Sequence, residues 1–114
     1  MRRGEVWEAA LHPRSGSEQA GRRPVVVLSN DGFNAIQTWQ SIMIVPFSTS
    51  DRQRARGPTA VALKKGAGGL RRSSVALCHQ LTTLDRAKLV EKWGSLSATE
   101  LALVEDGVRA ALDL

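Results

Sequence analysis

The sequence predicts a mainly β domain of the α+β class, a small antiparallel barrel or curved sheet closed by one C-terminal amphipathic helix. Three observations predict it. Five or so short segments rich in apolar and β-branched residues are separated by Gly, Pro and Ser clusters, the pattern of an antiparallel sheet rather than of alternating βαβ units. Three- and four-residue apolar periodicity appears clearly only in residues 97–114. A length of 114 residues, with no repeat, low-complexity stretch or linker, suits a single domain over 1–114 that can bury its own core.

The elements follow in order. Residues 4–11 (GEVWEAAL) mix Val, Trp and Leu with two glutamates and fit a strand with one wet face. Pro24 to Ser29 is a continuous β-branched run, as in a strand buried on both faces, and a proline at its first position removes no interior ladder bond. Residues 30–34 are turn-rich. Ile42 to Phe47 repeats the apolar run, with Pro46 expected to end it or to place it on an edge. Thr59–Leu63 and Ser74–Gln80 are two further strands, and Gly66–Gly69 between them reads as a hairpin turn, since it lacks the Lys-Ser/Thr ending of a phosphate-binding loop. Asp85–Leu89 fits a short second helix. Ser97-Ala98-Thr99-Glu100 is a capping box, and Leu101, Val104, Val108 and Leu112 then form the apolar face of a helix packed on the sheet.

Composition excludes several classes. The apolar fraction of 42% and charged fraction of 24% are those of a globular domain, not of collagen, a coiled coil or a disordered chain. No apolar stretch approaches the roughly 18–20 residues that cross a bilayer, and Glu5 and Glu8 break the run a signal peptide needs, so a cytoplasmic protein without membrane contact is expected. The single Cys78 forms no internal disulfide, and with only His12 and His79 beside it the chain has poor material for zinc, although carboxylates remain able to hold magnesium. Net charge is +5, but residues 97–114 hold four acids against Arg109, a balance of −3, which leaves +8 on the rest. Arg52, Arg54, Arg56, Lys64, Lys65, Arg71 and Arg72 occur over 52–72 without one acid. Such a segment is either a solvated, solubilising face or a surface for a polyanion, of which nucleic acid is the commonest.

The stretch from His12 to Pro24 is a long polar connection between two apolar strands, and connections of this length in compact domains are usually functional or disordered. It delivers Arg22 and Arg23 to a buried strand, where a fixed guanidinium acts on a phosphate more strongly than a surface lysine. Glu18 in the same loop can pair with Arg23 as a purely structural ion pair, or both can face a substrate. Trp7 and Trp93 suit a core or a subunit interface; Trp39, among Gln37, Thr38, Gln40 and Ser41, suits either a core or a surface on which a base stacks.

Several motifs in this chain have counterparts in a known family. They are Arg3-Gly4-Glu5-Val6-Trp7, Gly16-Ser17-Glu18-Gln19-Ala20-Gly21 followed by Arg23-Pro24, Val25 to Asn30, Ile44-Val45-Pro46 leading to Thr49, Ser74 to Cys78 ahead of Gln80, and Gly94-Ser95-Leu96-Ser97 with its closing helix. Over essentially its whole length and in this order, the chain resembles the MazF/PemK/Kid toxins of bacterial toxin–antitoxin modules. The resemblance implies an SH3-like (CcdB/PemK-like) barrel working as a homodimer. It implies a sequence-specific endoribonuclease that needs neither metal nor cofactor and cuts single-stranded RNA, chiefly mRNA, to stop translation. It also implies a MazE-like antitoxin whose acidic C-terminal tail occupies the RNA groove.

Carried over by motif, Arg23 corresponds to the catalytic arginine, Glu18 to the loop glutamate and Thr49 to the threonine after the third strand, with adjoining Ser48 leaving that match open by one position. Ser17, Gln19, Arg22, Ser48, Arg52, Arg54, Arg56 and Gln80 are the expected RNA contacts. Two departures stand out: His79 precedes Gln80 where relatives commonly have Asp, and His12 precedes Pro13 where they often have Asp. The first replaces a catalytic carboxylate of the Kid branch by an imidazole that titrates near neutral pH, so His79 competes with Glu18 for the role of acid or base. Two other readings share the fold: a noncatalytic toxin of the CcdB type that binds gyrase, and an RNA-binding module without turnover. The ending Ala110 to Leu114 lacks the tryptophan-containing terminus of the CcdB branch.

Overall fold

The computed structural model describes residues 1–11 and 21–114. Seven strands, β1 (Glu5–Leu11), β2 (Gly21–Val27), β3 (Ser41–Ser48), β4 (Ala60–Leu63), β5 (Ser74–Leu77), β6 (Thr82–Asp85) and β7 (Leu89–Ser95), pair antiparallel in the order β4-β5-β3-β2-β1-β7, with β6 on β3. Three helices accompany them: the single turns α1 (Asp31–Asn34) and α2 (Asp51–Arg54), and the long α3 (Ala98–Leu112).

The sheet has a packed cluster on each face, because alternate residues of each apolar strand point opposite ways. Val6, Val26, Val45, Phe47, Ala76 and Cys78 form one cluster, on which α3 lies through Leu101, Val104 and Val108. Ala9, Leu11, Val25, Val27, Ile42, Ile44 and Leu89 form the other. Each fully buried Val or Ile contributes about 1.5–3 kcal/mol relative to exposure, so both faces are needed to hold so small a domain. The strands β6 and β7, joined by a 3₁₀ turn at Arg86–Lys88, return to opposite edges of the β1-β2-β3 meander and curl it round the second cluster. Among the described residues β6 and β7 share no register, and neither do β4 and β7. The expected barrel is therefore a strongly curved open sheet.

Four expectations need correction. First, β2 begins at Gly21, so Pro24 is interior, and β3 runs through Pro46 to Ser48. Both prolines are tolerated because one flanking ladder is absent where they sit. The β2–β3 ladder starts only at Val25, and along its other edge β3 passes from β6, ending at Ile44, to β5, starting at Phe47. Second, β5 stops at Leu77 and a 3₁₀ turn carries Cys78–Gln80. Third, no helix spans Asp85–Leu89: Asp85 caps the short turn at Ala87 N, and the flanking residues are β6 and β7. Fourth, those two strands themselves escaped the sequence pattern. The closing helix is as expected except that Leu112, at its end, is exposed. The capping box is formed in both directions, Ser97 Oγ accepting from Glu100 N at 3.1 Å and Glu100 Oε1 from Ser97 N at 2.8 Å. Gly66–Gly69 lies in the connection of the β4–β5 hairpin. Its close packing is why glycine stands there: Gly69 has φ +79°, and a Cβ on it would meet Trp93 O at 2.3 Å.

Candidate active site and cationic face

The register places the key residues. Arg23 pairs with Ala9 and shares its side of β2 with Val25 and Val27, so it stands exposed at the rim of the second cluster. Arg23 lies two residues before the first β2–β3 pair, Val25↔Pro46, and Ser48 two residues beyond it on β3. Thr49 follows the end of β3 and is exposed. Arg23 and Ser48 therefore both stand just beyond the β2–β3 ladder, at the end of the sheet where β2 starts and β3 stops. Ser48 is 6% exposed, and its Oγ accepts from Ser50 N at 3.1 Å, which fixes the hydroxyl at the end of β3.

Arg22 goes elsewhere. As the neighbour of Arg23 in an extended strand it points to the opposite face, where Nη1 meets Glu8 Oε2 at 3.2 Å. His79 is also apart. Val75, the ladder partner of Ser48, begins β5, and His79 follows four residues later on an exposed turn, roughly 10 Å along the strand direction. Burial, joined by the neighbouring Arg56 guanidinium, lowers the His79 pKa below its usual 6.5, so the imidazole is neutral at pH 7 and accepts protons rather than giving them. Gln80 is half-buried on the same turn. Ser17, Glu18, Gln19 and His12 lie outside the described residues.

The basic segment begins immediately beyond Ser48. Arg52 and Arg54 ride on α2, which packs against β4 and β5, and Arg56 follows it toward His79; all three are exposed. Among the described residues only Arg54 meets a carboxylate, Asp51 at 3.7 Å, and both groups are solvated, so that pair is weak. The arrangement is a shelf of cations beside one fixed hydroxyl and one fixed guanidinium. No three His, Cys, Asp or Glu residues among those described group to hold a metal ion. No described helix is long and apolar enough to cross a membrane.

Arg86 and Gly107, which the sequence did not single out, and Trp39, which it did, are important to this architecture. Arg86 donates through Nε to Trp39 O at 2.9 Å and through Nη2 to Asn34 O and Ile36 O at 3.0 and 2.9 Å, tying down the β2–β3 connection. On that connection Trp39 is 42% exposed and stacks on Phe33, centroids 4.9 Å apart, at the end of the sheet remote from Arg23. Gly107 lets α3 approach the sheet, since a Cβ there would meet Cys78 Sγ at 2.6 Å and Val61 Cγ2 at 2.7 Å.

A curved antiparallel sheet with one covering helix and a shelf of exposed cations defines the class, a small open-sheet α+β domain. Comparison with known proteins narrows it. Residues 2–112 match the family described as PemK-like, MazF-like toxin of type II toxin–antitoxin system. The chain is 39% identical over 114 residues to "Endoribonuclease MazF" of Staphylococcus saprophyticus subsp. saprophyticus, covering 100% of this chain and 92% of the relative. The crystal structure of MazF (Form-I) from Deinococcus radiodurans superimposes with a TM-score of 0.76 at 29% identity, covering 98% of this chain and 96% of that one. A MazE-MazF structure (Form-II) from the same organism gives 0.69 at 28% identity, covering 97% and 94%. The chain belongs to the PemK/MazF family of type II toxins.

Proposed function

We propose that this chain is an endoribonuclease toxin that cuts single-stranded RNA without a metal ion and is silenced by an antitoxin with an acidic tail. The observation that supports the reading is the exposed arginine run Arg52, Arg54 and Arg56, which begins just after β3 ends at Ser48 and among the described residues meets a carboxylate only through the solvated Arg54–Asp51 pair. The substrate's own 2′-hydroxyl attacks the adjacent phosphorus, giving a 2′,3′-cyclic phosphate and releasing a 5′-hydroxyl. One proton must be removed, another supplied and the extra charge of the phosphorane stabilised.

Arg23 serves the nonbridging oxygens, where a fixed cation is worth most because charge develops there. A hydroxyl at the end of β3 orients the phosphate; Thr49 fits the motif, and adjoining Ser48 fits it one position away. Glu18 takes the proton of the 2′-hydroxyl. His79, neutral at pH 7 and set apart from Arg23, receives the neighbouring nucleotide rather than the scissile phosphate. Arg52, Arg54 and Arg56 follow the RNA backbone, with Gln80 beside His79 at a base. A homodimer acting in the cytoplasm completes the reading, and the cut sequence follows from the loop containing Ser17 and Gln19.

A long single-stranded RNA incubated with the protein in EDTA tests the whole. Discrete fragments ending in cyclic phosphate are expected. Retention without cutting would make the protein a binding module, and neither outcome would leave a toxin of the gyrase-binding kind.

A further inference from the structure

The β4–β5 hairpin carries a second cationic surface that the cutting step does not use. Its connection, residues 64–73, leaves the sheet at Leu63 and re-enters at Ser74, one ladder step from the Val75↔Ser48 pair. Lys64, Lys65, Arg71 and Arg72 are all exposed on it, and none meets a carboxylate among the described residues. The hairpin tip reaches across to β7, held by the contact of Gly69 and Gly68 with the Trp93–Gly94 backbone. There the Arg71 guanidinium carbon stands 4.2 Å from the centre of the half-buried Trp93 ring. Trp93 Nε1 is buried and hydrogen-bonds nothing among the described residues, so the indole works through its face alone. Neighbouring Lys92 is engaged by Glu5, Nζ to Oε2 at 3.1 Å, and stands outside this set.

We propose that this hairpin is a second binding surface for single-stranded RNA, which holds the stretch flanking the cut. Arg71 over Trp93 is its base-stacking step, and Lys64, Lys65 and Arg72 hold its phosphates. The proposal rests on the ribonuclease reading for the identity of the strand, but not for the existence of the surface. Several unpaired cations suit any polyanion; what favours RNA over an acidic peptide is the stacked step. A guanidinium over an indole offers a cationic and an aromatic group side by side to a base, and bases stack on arginine planes and aromatic rings alike. A carboxylate side chain has no use for the aromatic group. The hairpin is rooted beside Val75, the ladder partner of Ser48.

The test compares two RNAs: a 20-mer containing one cut site and a short oligonucleotide spanning only that site. The variant K64A/K65A/R71A/R72A changes exposed side chains and is first checked for an unaltered melting curve. It should bind the 20-mer about tenfold more weakly, with the slope of log affinity against log salt reduced by about two units. It should bind and cut the short RNA within twofold of the parent. Arg71→Lys keeps the charge and loses the flat stack, so it should lose affinity for the 20-mer while keeping the parent salt slope. Unchanged affinity and slope for the 20-mer would overturn the proposal. So would a variant that loses affinity for a synthetic poly-glutamate peptide but not for RNA, which would make the hairpin a protein-docking surface. If the protein cuts no RNA at all, the ribonuclease reading fails while the binding comparison still decides this one.

Discussion

At the end of the sheet where β2 runs on toward β3, Arg86 spends its guanidinium on the carbonyls of Asn34, Ile36 and Trp39. Arg3 in the same region donates to Leu28 O at 3.0 Å and pairs with Glu105 at 2.5 Å. Ser29, Asn30, Asp31 and Asn34 close that connection with buried or capping bonds, Asn34 Nδ2 reaching Ser29 O at 2.7 Å and Asp31 Oδ1 at 3.0 Å. At the opposite end, where β2 starts and β3 stops, Arg52, Arg56, Lys64 and Lys65 face no carboxylate among the described residues. Net charge counts all of these alike. A cation whose donors are consumed by carbonyls belongs to the fold, whereas cations clustered in water without partners raise the local potential and await an anion.

If that contrast is sound, the two ends separate under mutation. The largest expected effect is that of Arg23→Ala: cutting should fall about 100- to 1000-fold at a temperature where the variant is fully folded, since a donor aimed at developing charge is lost. A cleavage assay beside a thermal melt reads it, and parent-level cutting would remove Arg23 from the chemistry. Arg86→Ala should do the reverse. Losing charged hydrogen bonds to several carbonyls costs about 3 kcal/mol, or roughly 10 °C in melting temperature, with cutting at low temperature retained. An unmoved melt would make Arg86 a surface residue after all.

Next in size comes the choice of hydroxyl. Ser48→Ala, which removes the hydroxyl fixed by Ser50 N, should slow cutting about tenfold, as expected for losing one bond to a charged group, while Thr49→Ala stays within about twofold. Opposite results would make Thr49 the hydroxyl that orients the phosphate. The smallest effect is one of pH. Burial pushes the Glu5 carboxyl up, but the Trp7 indole N–H, the Arg2 backbone and the Lys92 ammonium outweigh it and leave the group below its usual 4.5. The folded state thus holds this proton less readily than the unfolded one. Its contribution is present above about pH 4.5 and is lost as pH falls through the folded value. Glu5→Gln should lower stability at pH 7 and flatten the decline in acid, measured by denaturant unfolding across pH.

Much of the fold was legible where the information is local. The helix from Ser97 onward announces itself because a capping box and a 3.6-residue stripe involve residues within one or two turns of each other. The runs Val25–Val27 and Ile42–Val45 read correctly as strands because every residue in them is apolar, and all but the exposed Met43 are buried. By contrast, β6 and β7 were missed: Thr82–Asp85 is four residues long, and Glu91 and Lys92 interrupt β7, so only their long-range pairing to β3 and β1 makes them strands. The candidate site divides in the same way. The motif singled out Arg23 from its neighbour Pro24, but only the pairing of β2 with β1 turns Arg22 away from it, to Glu8.

By itself the sequence determined the class of the domain, its closing helix, its excess of cations and the arginine at the mouth of a strand, because each depends on residue type and short-range spacing. The tertiary structure alone decided that the sheet stays open, that Arg71 lies over Trp93, and that Arg86 serves carbonyls. Those facts depend on strand register and on contacts between residues distant in the chain, and no local pattern encodes the partner that a side chain will meet.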